Sequence, residues 1–388
     1  MQKRFTPDAG GAFQEWEEKT IEEACNVNVS NGTPGDKFIY IELGDVNKYG
    51  LLKRKNLVRK NEAPVSAKRV AKIDDVFFRS VRPGNKGHFH YTNEMSEQVV
   101  MSSAFFQLSM KDGDDEFLYQ TLNTQYFTKQ VLTRCTGTTY PTISLNEFIK
   151  LKIKIPKSIE EQRKIAAALA AYDEMIAVKT AKLETWQECK KRMVKEIFGR
   201  TKRFRDDYGN EFPEWEEKTL GEVCKYGNTH KIGKNYIKVE NMNKDFSGVT
   251  FLEPSLEKNG IAYGIGDVLM SNIRPYLRKA WLADRGGICD SDVLVFHLKD
   301  GVNVDSTFLY YTIASSEFVK WSMIGARGTK MPRCDKQHLM EKRIFLPCKE
   351  EQQKIGSFLA EIDKEIQIQK EFIKTYAEGK RRMMRELM

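Results

Sequence analysis

The chain carries the same sequence twice. FQEWEEKTIEEAC at 13–25 returns as FPEWEEKTLGEVC at 212–224, and KIDDVFFRSVRP at 72–83 returns as GIGDVLMSNIRP at 264–275. Phe117-Leu118-Tyr119 returns as Phe308-Leu309-Tyr310, Gly137-Thr138 as Gly328-Thr329, and Ile155-Pro156 with EEQRKI as Leu346-Pro347 with EEQQKI. The offset between copies drifts only from 199 to 190, so both halves keep one order of elements around short insertions. A period near 190 is too long for a solenoid unit and suits a whole domain. With 388 residues, each half can bury a core of its own.

Each copy ends in a long amphipathic stretch. Ile165, Leu169, Tyr172, Ile176, Lys179, Leu183, Trp186, Lys190, Met193 and Ile197 keep a four-three spacing, the seam of a coiled coil. Ile355, Leu359, Ile362, Ile366, Gln369, Ile373, Tyr376, Lys380, Met383 and Leu387 repeat it, polar interruptions included. Ser158 with Glu161 offers a capping box to the first helix, and Gly199 can end it. A stripe of this length needs a partner. Parallel pairing of the two helices would oppose Lys190 and Lys380. Antiparallel pairing sets Lys190 on Ile362, Lys380 on Tyr172 and Lys179 on Ile373, with lysine stems covering apolar partners and heads reaching water. The charges favour antiparallel, and the short link GRTKRFRDDYGN at 199–210 allows it. Dimerisation with a second copy of the chain is the other use of such a seam. The expected organisation is a domain over 1–155, a helix over 156–200, a second domain over 201–346 and a second helix over 347–388.

Both domains read as mixed α and β. Strands are expected at Phe38–Leu43, Tyr236–Glu240, Asp75–Phe78, Asp267–Met270, Ala104–Leu108 and Val293–Leu298, and helices at Phe117–Phe127 and Phe308–Val319. Polar and basic residues gather after the strands: Arg79, Ser80, Arg82, Lys86, His88 and His90 in one half, and Ser271, Asn272, Arg274, Tyr276, Arg278 and Lys279 in the other. A further cluster follows each aromatic helix, with Arg134, Thr138 and Tyr140 in the first and Arg327, Thr329, Lys330 and Arg333 in the second. Arg, Asn and Thr read base edges, while Lys and glycine amides hold phosphates. The net charge of +9 agrees with a polyanionic partner.

Chemistry-bearing motifs do not emerge. GNTHKIGKN at 227–235 is one residue too long for a phosphate loop and ends in Asn where a magnesium-binding hydroxyl belongs. The WEEKT string opens both halves and reads as a frame element, with Trp16 and Trp215 buried. His88 and His90 lack partners at ligand spacing. Seven scattered cysteines without a CxxC pair suit reduced thiols in the cytoplasm rather than zinc. The polar start MQKRFTPDAGG does not read as a secretory signal, and no run reaches the roughly 18 apolar residues of a membrane span.

The twice-used W-x-x-x-x-(I/L) at Trp16 and Trp215, the GTKMPR string at Gly328–Arg333, and the helix starts PKSIEEQRKI and PCKEEQQKI resemble the specificity (S) subunits of type I restriction–modification systems. The first half departs from that pattern with GTTYPT, so a lysine contact from the second half lacks a counterpart there. The resemblance implies an α+β fold of two tandemly duplicated mixed α/β target-recognition domains, separated by two long antiparallel coiled-coil helices with a pseudo-two-fold within the chain. It implies a non-catalytic chain that binds double-stranded DNA of bipartite, asymmetric sequence. It also implies two methyltransferase (M) subunits bringing S-adenosylmethionine, and restriction (R) subunits using ATP and Mg, with no cofactor on this chain. About 50 Å of seam at ~1.5 Å per residue would cap the separation of half-sites near ~15 base pairs. A general nucleic-acid adaptor and a coiled-coil scaffold that does not bind DNA are the alternatives.

Overall fold

The computed structural model describes residues 4–251 and 257–388. The first three residues of the polar start, and 252–256 in the second domain, lie outside the described residues. The chain divides into two compact units, Met1–Lys182 with Gln369–Met388, and Leu183–Ile368. Each unit therefore contains one domain and part of both long helices.

In the first unit, Trp16–Thr20 pairs antiparallel with Lys152–Pro156, which makes the WEEKT string the strap that closes the domain. Thr20 then caps the single turn Ile21–Ala24, and Glu23 returns a bond to the Thr20 amide, a complete capping box. The central sheet runs in the order Cys25–Val27, Phe105–Met110, Val76–Arg79, Phe89–His90, all antiparallel. A second four-stranded sheet joins Asn56–Arg59, Lys37–Ile41, Val99–Ser102 and Ala67–Val70, with Lys37–Ile41 parallel to Val99–Ser102. The aromatic stretch forms two short helices, Asp115–Leu122 and Gln125–Thr133, because Thr124 stops one and caps the next. Phe78, Phe117, Phe127 and Phe148 are all buried between the central sheet and these helices.

The second unit repeats the strap, Glu216–Thr219 on Arg343–Leu346, and the central sheet, Cys224–Tyr226, Val293–Leu298, Val268–Ser271, Ala280–Leu282. Register is kept as well: Ser271 opposes Val293 where Arg79 opposes Phe105. Ser315 splits the aromatic stretch as Thr124 does, giving Ser306–Ile313 and Ser316–Ile324. The second sheet differs, with three strands in the order His230–Gly233, Lys258–Tyr263, Gly287–Cys289. The strand expected at Tyr236–Glu240 does not form. Lys258–Tyr263 pairs with one edge of Gly287–Cys289, and on the other edge Ile237 makes a single parallel bridge to Cys289 before Val239–Asn241 coils into a 3-10 turn that ends the pairing. All seven cysteines are free, and burial pushes the Cys25 and Cys224 thiols up to about 12.

The long helices span Ile159–Phe198 and Lys349–Leu387. They run antiparallel within the first unit: Asp173 meets Lys380, while Lys179, further along, meets the Phe372 ring at 4.3 Å. Gly379 lets Tyr172 in so closely that a Cβ there would fall 2.8 Å from the ring. Seam residues Ile165, Leu169, Ile176, Ile355, Leu359, Ile362, Ile366 and Ile373 are buried, whereas Tyr172, Leu183, Trp186 and Tyr376 are half-buried. Two expectations need correction. The lysine heads are held by carboxylates rather than turned freely to water: Lys380 Nζ donates to the Asp173 carboxylate at 2.6 Å, and in the second unit Lys190 Nζ donates to Asp363 at 2.6 Å. Apolar partners can cover a stem, but a half-buried ammonium is held by an adjacent carboxylate. Glu161 does not close a capping box either, because its wholly buried carboxylate is taken by Arg4, as Glu351 is by Arg203 in the second unit. The repeat therefore starts earlier than its recognisable strings, with Arg4-Phe5 standing for Arg203-Phe204. Trp16 and Trp215 are both half-buried rather than buried; Trp215 Nε1 donates to Glu351 at 3.0 Å, and Trp16 Nε1 has no partner.

Each lysine–aspartate pair also grips its domain. Gln120 Nε2 donates to Asp173 at 2.8 Å, and the Tyr311 hydroxyl donates to Asp363 at 2.8 Å. Asp363→Ala should therefore cost about 2 kcal/mol in urea denaturation, since it strands both a half-buried ammonium and a hydroxyl. Adding Lys190→Met should recover part of that loss.

Candidate nucleic-acid interface

In both domains a central strand leaves the sheet into a turn that places an arginine in the left-handed region, Arg82 at φ 49° and Arg274 at φ 50°. Four residues on, φ is positive again, 58° at Lys86 and 55° at Arg278, after 3-10 turns at Pro83–Asn85 and Pro275–Leu277, and Arg278 alone of the two returns to the left-handed region. Each such residue costs an L-amino acid roughly 1–2 kcal/mol. Strain retained at matching places in both copies marks a turn built to present its side chains.

A second loop leans on this turn. Thr136 and Thr142 exchange both backbone bonds at 2.9 Å, closing a narrow loop that Gly137 turns at φ 86°. Arg327 and Arg333 exchange the same two bonds around Gly328. The Arg82 amide donates to Pro141 O at 2.7 Å and the Arg274 amide to Pro332 O at 2.7 Å. Ile143 N to Ser80 O, and Cys334 N to Asn272 O, complete the tie. The two clusters read separately from the sequence are thus one surface in each domain.

In the first domain the structure sorts the expected residues into three groups. Arg82, Thr138 and Tyr140 come together: the Arg82 guanidinium lies 4.0 Å over the Tyr140 ring and donates to Thr139 O, and Thr138 and Tyr140 are exposed. Beside them is a hollow of about 360 Å³ lined by Arg82, Gly84, Asn85, Leu132 and Pro141. Arg134 stands at the loop base, turned to Glu147. Arg79, Ser80 and Lys86 face inward. Arg79 Nε donates to Val81 O, buried Ser80 Oγ donates to Ala104 O, and Lys86 Nζ donates to Asn123 O and Thr128 Oγ1. These three build the frame and are not placed to meet a ligand. The residue types suited to base contact are the ones a turn uses to satisfy itself, and only tertiary packing separates the roles.

In the second domain, Arg274, Thr329, Lys330 and Arg333 share the surface, and Thr329, Lys330 and Arg333 are exposed. Asn272 is buried with Oδ1 unpartnered, and Arg274 Nε is also buried without a partner. Arg278 lies over the Phe246 ring at 4.9 Å and Arg327 pairs with Asp335, so both brace loops. The geometry adds one residue that sequence reading passed over, Asp292, whose carboxylate accepts from both terminal nitrogens of Arg333. Among the described residues no group of three or more His, Cys, Asp or Glu could hold a metal, and no helix is long and apolar enough to cross a membrane.

A surface of arginine, threonine, lysine and tyrosine on two copies of one domain suits recognition of a nucleic-acid duplex. Residues 14–185 and 213–375 each match the type I restriction modification DNA specificity domain. The chain belongs to that family. It is a sequence-specific subunit of the restriction–modification kind, and such subunits recognise DNA without catalysing a step. It is 28% identical to the type I restriction enzyme MjaVIII specificity subunit of Methanocaldococcus jannaschii, over 76% of this chain and 74% of that one. It is also 28% identical to the EcoDI specificity subunit of Escherichia coli, over 34% of this chain and 28% of that one. In fold it is similar to the S subunit of the type I system from M. genitalium, at a TM-score of 0.61 and 15% identity over 99% of both chains. A chain from a study of complex assembly and conformational transition of the type I R-M system gives a TM-score of 0.52 at 20% identity, over 99% of this chain and 98% of that one.

Lys86 gives this specificity subunit a pH signature. Burial, then the charge of Lys380, pull its ammonium down to about 8 from an ordinary 10.5. Between those values the unfolded chain binds more protons than the folded one, so stability rises with pH across that window. Lys86→Met should flatten this rise in urea melts taken at pH 8 to 10.

Proposed function

We propose that the chain reads a bipartite, asymmetric DNA sequence, one half with each domain, and that the helical pair sets the gap between the halves. What carries this reading is one hydrogen-bonded double-loop frame built twice, around a shared Arg82 or Arg274 and a shared Thr138 or Thr329, with different side chains beside them: Thr139, Tyr140 and Thr142 on one, Lys330, Met331 and Arg333 on the other. Identical frames suit two similar docking events on major-groove edges, and unlike side chains suit unlike half-sites. A pair of antiparallel helices, 40 and 39 residues long, is stiff enough to serve as a ruler.

The partners follow the relatives. The chain scaffolds methyltransferase subunits, two in number to match its two domains, together with restriction subunits. S-adenosylmethionine, ATP and Mg belong to those partners, and the assembly works in the cytoplasm. A general nucleic-acid adaptor would carry no reason for two divergent surfaces on one frame.

Replacing residues 1–155 with the corresponding domain of a relative, then mapping the adenines modified by the chain with its methyltransferase partner, tests the bipartite reading. One half of the recognised sequence should change and the other stay; a change in both halves, or in neither, defeats it. Inserting seven residues in each long helix should lengthen the unspecific gap by ~10 Å, or ~3 base pairs. Retention of the original gap by that variant would rule out the ruler.

A further inference from the structure

The two recognition surfaces differ at a coupled pair of positions. The backbone around them is the same in both domains. Ser80 N donates to Ala104 O at 3.0 Å and Asn272 N to Asp292 O at 2.8 Å. The Ala104 amide donates to Ser102 Oγ at 3.3 Å, and the Asp292 amide to Asp290 Oδ1 at 3.0 Å. Thr142 bridges to Val81 and Thr136, and Arg333 bridges to Ile273 and Arg327. Positions 104 and 142 of the first domain are therefore positions 292 and 333 of the second. Alanine with threonine occupies them in one, aspartate with arginine in the other.

The first domain builds its loops without an ion pair here, so the pair is not needed to hold the fold. An acidic side chain also stands awkwardly on a surface that meets phosphates, because it repels them. Its presence needs a reason, and the geometry supplies one. Both terminal nitrogens of Arg333 donate to Asp292, so the end of the fork is occupied and the side chain is held in one position. The edge carrying Nε remains turned away from the carboxylate. Half of the Arg333 side chain is exposed, at 52%, against 30% for Asp292. A guanidinium fixed by its end and open along its side can donate two parallel bonds to O6 and N7 of a guanine in the major groove.

Resting on the bipartite reading above, we propose that Asp292 and Arg333 form a guanine-reading unit of the second domain, in which Arg333 contacts the base and Asp292 is its positioning residue. Asp292 determines specificity by holding the fork in register. Its own charge lowers affinity for DNA of any sequence. The two effects have opposite signs, which separates this role from a loop brace.

The test uses the full chain with its methyltransferase partner, modified genomic DNA for the recognised sequence, and duplex binding across a salt series for affinity. Arg333→Ala and Asp292→Ala should relax the same single base pair, a guanine–cytosine pair in the second domain's half-site. Discrimination there should fall about 10- to 100-fold. Asp292→Ala should in addition bind unrelated duplex more tightly than the unaltered chain, while Asp292→Asn, which keeps one acceptor, should fall between. The double variant Asp292→Ala/Arg333→Thr, which gives the second domain the first domain's pair, should relax that position no further than Arg333→Ala alone. Melting temperatures and the first half-site should be unchanged in all of them. Full discrimination in Asp292→Ala would overturn the positioning role, and uniform weakening of all sequences by Arg333→Ala would make that residue a phosphate contact instead. Absence of any sequence preference in the unaltered complex would instead strike at the bipartite reading itself.

Discussion

Both recognition surfaces stand on main-chain hydrogen bonds. The arginine turn is tied to the neighbouring loop through Arg82 and Pro141, Ser80 and Ile143, and by the mutual bonds of Thr136 and Thr142; the second domain repeats each one. Because backbone amides and carbonyls satisfy one another there, outward side chains are released from structural duty. That freedom is what a recognition module requires. It can hold shape while its reading residues change, as GTTYPT and GTKMPR already do within one chain.

Strain belongs to the same design. Four non-glycine residues sit at positive φ in matching turns, and their cost is met by the hydrogen-bonded loops and the aromatic core beneath. The helical pair uses a different device. A half-buried lysine in each unit meets an aspartate that also accepts from a side chain of the domain's aromatic helix, so one carboxylate fixes both helix register and domain attachment. Purely apolar seams slide by a turn at little cost, and a charge that has only one partner within reach does not.

Much of this was legible in the sequence. Strong periodicity and close recurrence revealed the duplication, the two long helices and the chain's turn clusters, because those features rest on local spacing, while the antiparallel sense came from the like charges that a parallel pairing would oppose. What escaped reading depends on contacts distant in sequence. Arg4-Phe5 and Arg203-Phe204 are too short to register as a repeat, though each arginine neutralises a buried glutamate about 150 residues away. Ser80, Lys86 and Asn272 look like contact residues until their burial is known. Tyr236–Glu240 has the composition of a strand, but its pairing stops after one bridge, where Val239–Asn241 coils into a 3-10 turn. Asp292 went unnoticed because an acid among basic residues reads as solvent-facing until the arginine it holds is placed.

The pairing of Arg4 with Glu161 bears on handling the protein. That carboxylate has no exposed surface, and its ionic counterpart, Arg4, lies in the segment ahead of the first strap strand. Proteolytic nicking or an ill-chosen fusion junction in the leading segment would leave an uncompensated anion sealed into the first turn of a forty-residue helix. The damage would arise far from any DNA-facing loop and still reach the helical rod on which the first domain sits. Removing the segment that holds Arg4 would thus injure the part of the molecule that looks least dependent on it.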